Sequence, residues 1–367
     1  MTNTILKAFQ SSFQPKQIQS LDGIRAISCL FVIIGHFSYL FSGYFNQVFG
    51  PLFGPVITYS IGNQYTGVTF FFVLSGFLIT NILIDEFRLK GEVSYRNFFM
   101  KRLFRIFPAY YFYFILIFIF LYYSKIVPYT NQDLISAITY TYNYYSDLNP
   151  WFMGHFWSLA VEEQFYLIWP ILFILTYKKF GIKVPILIIF ASPLIRILTY
   201  YIFEESRGRI SIMTHTRFDC LLFGCALAFC FKNNYFEKFN SIITKFKLHF
   251  ISAFHILFFS RLLQMKFQGK YVMTVGYSLD AFAMCILIVY LVMNTNLVTK
   301  FFNLPIFVHI GTLSYSLYLW HIPFAWSGLG SSYLVPRIIA VYFCALFSFL
   351  FIESPFMNLR KRFISNS

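Results

Sequence analysis

The sequence predicts an all-α polytopic membrane protein with about ten transmembrane helices and both termini in the cytoplasm. Three observations carry that reading. Of 367 residues, 58% are hydrophobic and only 12% are charged, about half the charge share of a soluble domain. Apolar segments of span length recur at 22–42, 66–84, 107–124, 155–177, 184–203, 217–231, 248–265, 272–292, 304–326 and 333–352, each close to the roughly twenty residues that cross a bilayer. Basic residues gather in alternate connections, with Lys7, Lys16, Arg88, Lys101, Arg102, Arg105, Lys178, Lys232, Lys245, Lys300 and Arg360 on one side, and Lys125, Arg207, Lys266 and Lys270 on the other. The richer side is the cytoplasmic one. The net charge of +15 is therefore a topology signal, and no nucleic-acid partner is expected.

The chain divides into a cytoplasmic lead-in at 1–20, a transmembrane domain at 21–355 and a basic cytoplasmic tail at 356–367. No cleavable signal peptide is expected, because residues 1–20 are polar and the first apolar run is long enough to remain as a span. The longest connection, from Lys125 to Gly154, is too short for a soluble domain, which leaves any chemistry to the membrane bundle. Six cysteines lie inside apolar runs without metal or redox spacing, as buried inert thiols do.

Span 1 reads LDGIRAISCLFVIIGH from Leu21 to His36. Asp22 suits a helix N-cap. Arg25 and His36 are eleven residues apart, ~16 Å of rise and about three turns, so they share one otherwise apolar face. Ionisable groups at membrane depth cost roughly 2.5–3.5 kcal/mol on translocon scales and mark function. The following stretch, 42–64, carries no charge but several glycines, prolines and aromatics; it reads as a loop at the interface or along an acceptor groove. In span 2, Ser75-Gly76 serves either close helix packing or a substrate channel. Arg102 and Arg105, three apart, share a face if the helix starts before them, which suits bidentate binding of phosphates as well as lipid headgroups.

In span 4, His155, Glu162 and Tyr166 fall within about 20° on a helical wheel, with Glu163 about 80° away. Either glutamate can pair with Arg196 or Arg217. Alternatively, His36 about 8 Å below the outer surface and Glu162 about 10 Å below it are at depths where they meet. A carboxylate there would orient the imidazole as a general base. Arg217 and Asp219 begin span 6 and either pair or receive a polar acceptor. Spans 7 and 8 offer little chemistry. In span 9 an aromatic belt accounts for Tyr318 and Trp320, and His321 precedes Pro323. The last span ends at Glu353-Ser354-Pro355.

Together these motifs resemble the integral-membrane acyltransferase-3 family. They are the Arg25–His36 pair, FFFVLSGFL around Ser75, KRLFRIFPAYY with Arg102 and Arg105, HFWSLAVEEQFY, RFDCLLFG and SYSLYLWHIPF. Any one is weak, whereas six in order from Leu21 to Pro355 are specific. The resemblance implies transfer of an acetyl group from cytoplasmic acetyl-CoA, the co-substrate, to a carbohydrate or lipid-linked glycan, without a metal, in the bacterial cytoplasmic membrane and beside glycan-assembly proteins. Some relatives carry an appended soluble esterase-like domain; transfer here is expected without one unless a separate protein supplies it. Arg25, Arg102 and Arg105 would hold acyl-CoA, His36 would act as base or acyl carrier, and Glu162 or Glu163 would orient it. Ser75, His155, Ser158, Tyr166, Arg217, Asp219 and His321 would line the substrate pocket. The rival reading is a carrier of a lipid-linked saccharide with His and Glu as a proton path, but transporter-like internal repeats are absent from the sequence.

Overall fold

A bilayer offers backbone amides no water, so a spanning chain satisfies them within helices. The computed structural model describes residues 19–145, 151–329 and 333–364, and these contain helices and no strand. Most of the expected lead-in and the last three residues lie outside the described residues. The bundle is built from α1 (Gln19–Phe37), α2 (Ser42–Ile61), α3 (Gln64–Lys90), α4 (Tyr95–Ser124), a short α5 (Asn131–Ile138), α6 (Phe156–Thr176), α7 (Lys183–Ile202), α8 (Thr214–Lys232) and α9 (Phe236–Lys245). Then follow α10 (Leu248–Phe267), α11 (Gly269–Met293), α12 (Pro305–Phe324) and α13 (Leu334–Arg360). Nine helices among the described residues are long and apolar enough to cross a membrane. Of the ten expected spans, the exception is α12. Its twenty residues include Thr312, Ser314, Ser316, His309 and His321, which dilute its apolar character because it packs inside the bundle against α1 and α13.

Local signals set several boundaries. The Asn63 side chain accepts from the Thr66 amide at the start of α3, and Gly91, at φ 77°, ends it. Ser94 caps α4, which starts well before the apolar run and so puts Arg102 and Arg105 on a formed helix. The charge-free stretch expected as a loop is instead helical. It breaks only at Gly50 (φ 76°, ψ 171°), after which Pro51 restarts the turn. A residue without Cβ takes that positive φ freely, and proline suits a first helical position. At the other end of the chain, helix continues past Pro355 to Ile364, so the boundary drawn after Pro355 falls inside it. The wider π turn Phe349–Glu353 lies just before the proline, where an α turn would meet its ring.

The centre of the bundle depends on small residues. A Cβ on Gly76 of α3 would sit 1.8 Å from the Leu221 carbonyl oxygen of α8, and one on Gly224 of α8 would sit 2.0 Å from the Val73 oxygen of α3. The two helices therefore meet backbone to backbone, and α3 makes its most extensive contact there. Alternation of the crossings brings the start of α1, the end of α3, the start of α4 and the ends of α8 and α13 to one end of the bundle. This basic end holds Arg25, Arg102, Lys232 and Arg360. His36, Trp151 and His321 lie at the opposite end.

Gly76→Ala is expected to cost about 1–3 kcal/mol, because the added methyl meets backbone that cannot rotate away. Thermal unfolding in detergent measures this, with Gly43→Ala, whose Cβ meets nothing within 4 Å, leaving the midpoint unchanged.

Candidate active site

A cavity of about 490 Å³ opens at the basic end and runs between α1, α3, α4, α6 and α12. Its volume is that of a site for a small organic ligand. Arg25, Lys101, Arg102, Arg105, Lys232 and Arg360 line the cavity, with Asp22 and Asp85 between them. Asp22 is paired with Arg25 at 2.7 Å; it sits inside the first turn of α1 as an ion-pair partner, where the sequence pattern favoured a cap. Lys232 is paired with Asp85. The Arg102 guanidinium lies over the Tyr166 ring, 5.2 Å from its centroid, and 5.9 Å from that of Phe98. Stacking of this kind leaves the edges of a guanidinium open to oxygen acceptors.

Farther in, the wall becomes polar at one place. Ser75 donates to Glu162 Oε1 at 2.8 Å, and the Tyr166 hydroxyl lies 3.3 Å from Ser75 Oγ and 3.4 Å from Glu162 Oε2. Ser158, Glu162 and Tyr166 recur every fourth residue on α6, so one face of that helix presents all three to the cavity. At Ser75-Gly76 the two residues differ: Gly76 packs against α8, whereas Ser75 lines the cavity. Glu163 also lines it, is 5% exposed, and its Oε1 has no hydrogen-bond partner among the described residues.

The expected bond between His36 and a glutamate of α6 is replaced by a different one. His36 Nδ1 lies 3.0 Å from the Val32 carbonyl oxygen and 3.1 Å from His321 Nε2, while His321 Nδ1 lies 2.7 Å from the Tyr318 carbonyl oxygen. Glu162 is engaged with Ser75 and Tyr166, and the partner of the first-span histidine comes from α12. His155, just before α6, packs its ring 5.7 Å from that of His321. Both its nitrogens are buried without a hydrogen-bond partner among the described residues. Ser158 and Tyr318 both line the cavity, and their hydroxyls are hydrogen-bonded to each other. Tyr318 is buried, so the aromatic-belt reading of it does not hold. Its ring centroid lies 5.5 Å from that of His321, one side-chain layer from His36.

Over residues 18–356 the chain matches the model of the Acyl_transf_3 acyltransferase domain. It belongs to that family. Among its relatives are O-acetyltransferase OatA of Staphylococcus aureus (strain NCTC 8325 / PS 47), 29% identical over 382 residues, and a putative O-acetyltransferase of strain COL, 29% identical over 383 residues. These alignments cover 97% and 95% of this chain and 59% of each relative, so the chain spans about three fifths of their length. No solved structure matches it.

Two polar clusters of this family member lie away from the cavity and tie its helices together. Arg196 is fully buried and pairs with Asp219 at 2.8 Å, while its other N–H groups donate to the carbonyls of Met273, Thr274 and Thr216 and to Ser278. It thus satisfies carbonyls in the π turn Val272–Gly276 of α11. Arg196 is therefore the partner of Asp219 and of neither glutamate of α6. Arg217 donates to Thr69 at 2.8 Å and stacks 3.5 Å from the Tyr277 centroid, so Arg217 and Asp219 do not pair with each other, and neither lines the cavity. The second cluster joins Arg261 of α10 to Asp280 of α11, with His255 3.2 Å from the same carboxylate. It falls in the two spans that seemed chemically silent. Opposite charges placed one per apolar run, with no shared motif, leave no local pattern to read.

Breaking a buried ion pair by removing one partner costs about 3–5 kcal/mol. Asp219→Ala is therefore expected to lower the unfolding midpoint sharply, whereas Glu162→Gln, which keeps an acceptor for Ser75, leaves it within a degree or two. Thermal unfolding of the two variants in one detergent checks the contrast.

Proposed function

We propose that this chain is a membrane O-acetyltransferase that takes an acetyl group from cytoplasmic acetyl-CoA and places it on a hydroxyl of a cell-surface or lipid-linked carbohydrate. The observation that carries this reading is the cavity, which joins a mouth of arginines and lysines to an interior where Ser75, Glu162 and Tyr166 meet and whose lining residue Tyr318 packs against His321. The O-acetyltransferase activity for which the relatives are named supports the same class of reaction. The basic end faces the cytoplasm of a bacterial inner membrane in this reading, following the charge bias of the connections.

The phosphates of CoA meet Arg102, Arg105 and Arg360 at the mouth. The pantetheine arm then lies along the cavity, where the Glu162 carboxylate accepts from its amide N–H groups. The thioester reaches His36 when the Tyr318 ring and Ser158 part. His36 takes the proton of the acceptor hydroxyl as that oxygen bonds to the acyl carbon; the carbon–sulfur bond breaks, and the proton passes to the departing thiolate. The acceptor enters from the opposite end, past Trp151, whose indole N–H donates to the Ile322 carbonyl at 3.1 Å and whose ring lies 6.1 Å from that of His36. Membership of an acyltransferase family favours this chemistry over a saccharide carrier, which would leave its cargo covalently unchanged.

His36→Ala is expected to abolish movement of radiolabel from acetyl-CoA to glycan while the protein stays in the membrane fraction; full transfer by that variant would remove the proposed base. Arg102→Ala is expected to raise KM for acetyl-CoA about tenfold or more, since a hydrogen bond to a charged group contributes roughly 1.5–3 kcal/mol, with kcat changed little. Initial rates over a range of acetyl-CoA concentrations separate the two effects, and an unchanged KM would count against the phosphate role.

A further inference from the structure

We infer that His321 is the positioning residue of the reaction: it fixes the tautomer of His36 so that Nε2 of His36 is the atom that takes the proton. The inference deepens the reading above and rests on it. Two backbone carbonyls decide the proton positions. A carbonyl only accepts, so His321 Nδ1, 2.7 Å from the Tyr318 oxygen, carries a hydrogen. The neutral ring then has its lone pair on Nε2. That lone pair lies 3.1 Å from His36 Nδ1, which is itself 3.0 Å from the Val32 oxygen. Both neighbours of His36 Nδ1 are acceptors, so Nδ1 carries the hydrogen and shares it between them. The lone pair of His36 is left on Nε2.

This is the geometry in which a second group orients a basic imidazole and stabilises the imidazolium formed when it takes a proton. A neutral imidazole occupies the place where a carboxylate commonly stands. His321 is fully buried on α12, and its ring is bounded by Tyr318 and by the His155 ring edge, which prevents it from turning away. The ring centroids of His36 and His321 are 4.8 Å apart with their planes at 57°, so the contact is made nitrogen to nitrogen and not by stacking. Because α1 and α12 pack along their length, with a Cβ on Gly311 2.1 Å from the Asp22 carbonyl oxygen, the distance between the two rings is set by backbone.

The test measures acetyl transfer from acetyl-CoA by the full-length protein in nanodiscs. His321→Ala is expected to lower kcat by about 10²–10⁴-fold, the span of general-base assistance, with KM for acetyl-CoA within threefold of the native value. His321→Gln puts a carbonyl oxygen where Nε2 stood and is expected to recover at least tenfold of that loss, whereas the shorter His321→Asn does not. A kcat within threefold of native in His321→Ala, or a glutamine variant no better than alanine, overturns the proposal. If the alanine variant fails to assemble, ¹⁵N spectra of native protein labelled at histidine decide, with the His36 signal assigned by its loss in His36→Gln. The Nδ1–H tautomer at His36 is the expected result, and the Nε2–H tautomer overturns the inference. Failure of the wider reading looks different: it is an active His36→Ala, whereas an inactive His36→Ala beside fully active His321 variants removes the positioning role alone.

Discussion

The approach of α3 to α8 is the constraint on which the rest of the structure depends. Two glycines facing each other's backbone, Gly76 and Gly224, leave no room for side chains at that crossing. Association inside a bilayer gains nothing from expelling lipid-like groups, so close van der Waals contact has to supply it. With α3 fixed in this way, its adjacent residue Ser75 is turned about 100° around the helix, toward α6, where it meets Glu162. One position thus closes the bundle on one face of α3, and the next helps open a polar passage on another.

Arg196 and Arg102 differ in whether their hydrogen bonds are met. Arg196 uses its N–H groups on one carboxylate, one hydroxyl and three carbonyls. Its charge is consumed by the fold. Arg102 is held over the faces of two aromatic rings, and no carboxylate pairs with it among the described residues. A guanidinium positioned without a strong acceptor is the one that has something left to offer a phosphate. The sequence showed both as arginines near apolar runs, and only the partners tell them apart.

Much of the architecture was legible because length and apolarity are properties of a single segment, and the spans, their order and the basic connections follow from them. The stretch at 42–64 was misread because glycine and proline mark loops in water, whereas here they interrupt a helix only at Gly50. Within the site, Arg25, Arg102, Arg105, Ser75, Ser158, Glu162, Glu163 and Tyr166 come together around one cavity. The partner of His36 was not legible. Depth along two helices is countable from sequence, but which of several helices turns a given face inward is decided by packing among all of them, and α12 stands nearer to α1 than α6 does. Tyr318 was missed for a related reason: a tyrosine near the end of a span looks the same whether it faces headgroups or a neighbouring serine.

The contact between Ser158 and Tyr318 has a consequence for the cell as a whole. A hole lined with water from one compartment to the other would let protons run down their gradient and would drain the energy stored across the membrane. Here two of the residues that line the cavity, Ser158 and Tyr318, have their hydroxyls bonded to each other, and the His321 ring packs against that of Tyr318. If acetyl transfer runs through this point as proposed, the paired hydroxyls must part for the small neutral group and close behind it to keep protons from following.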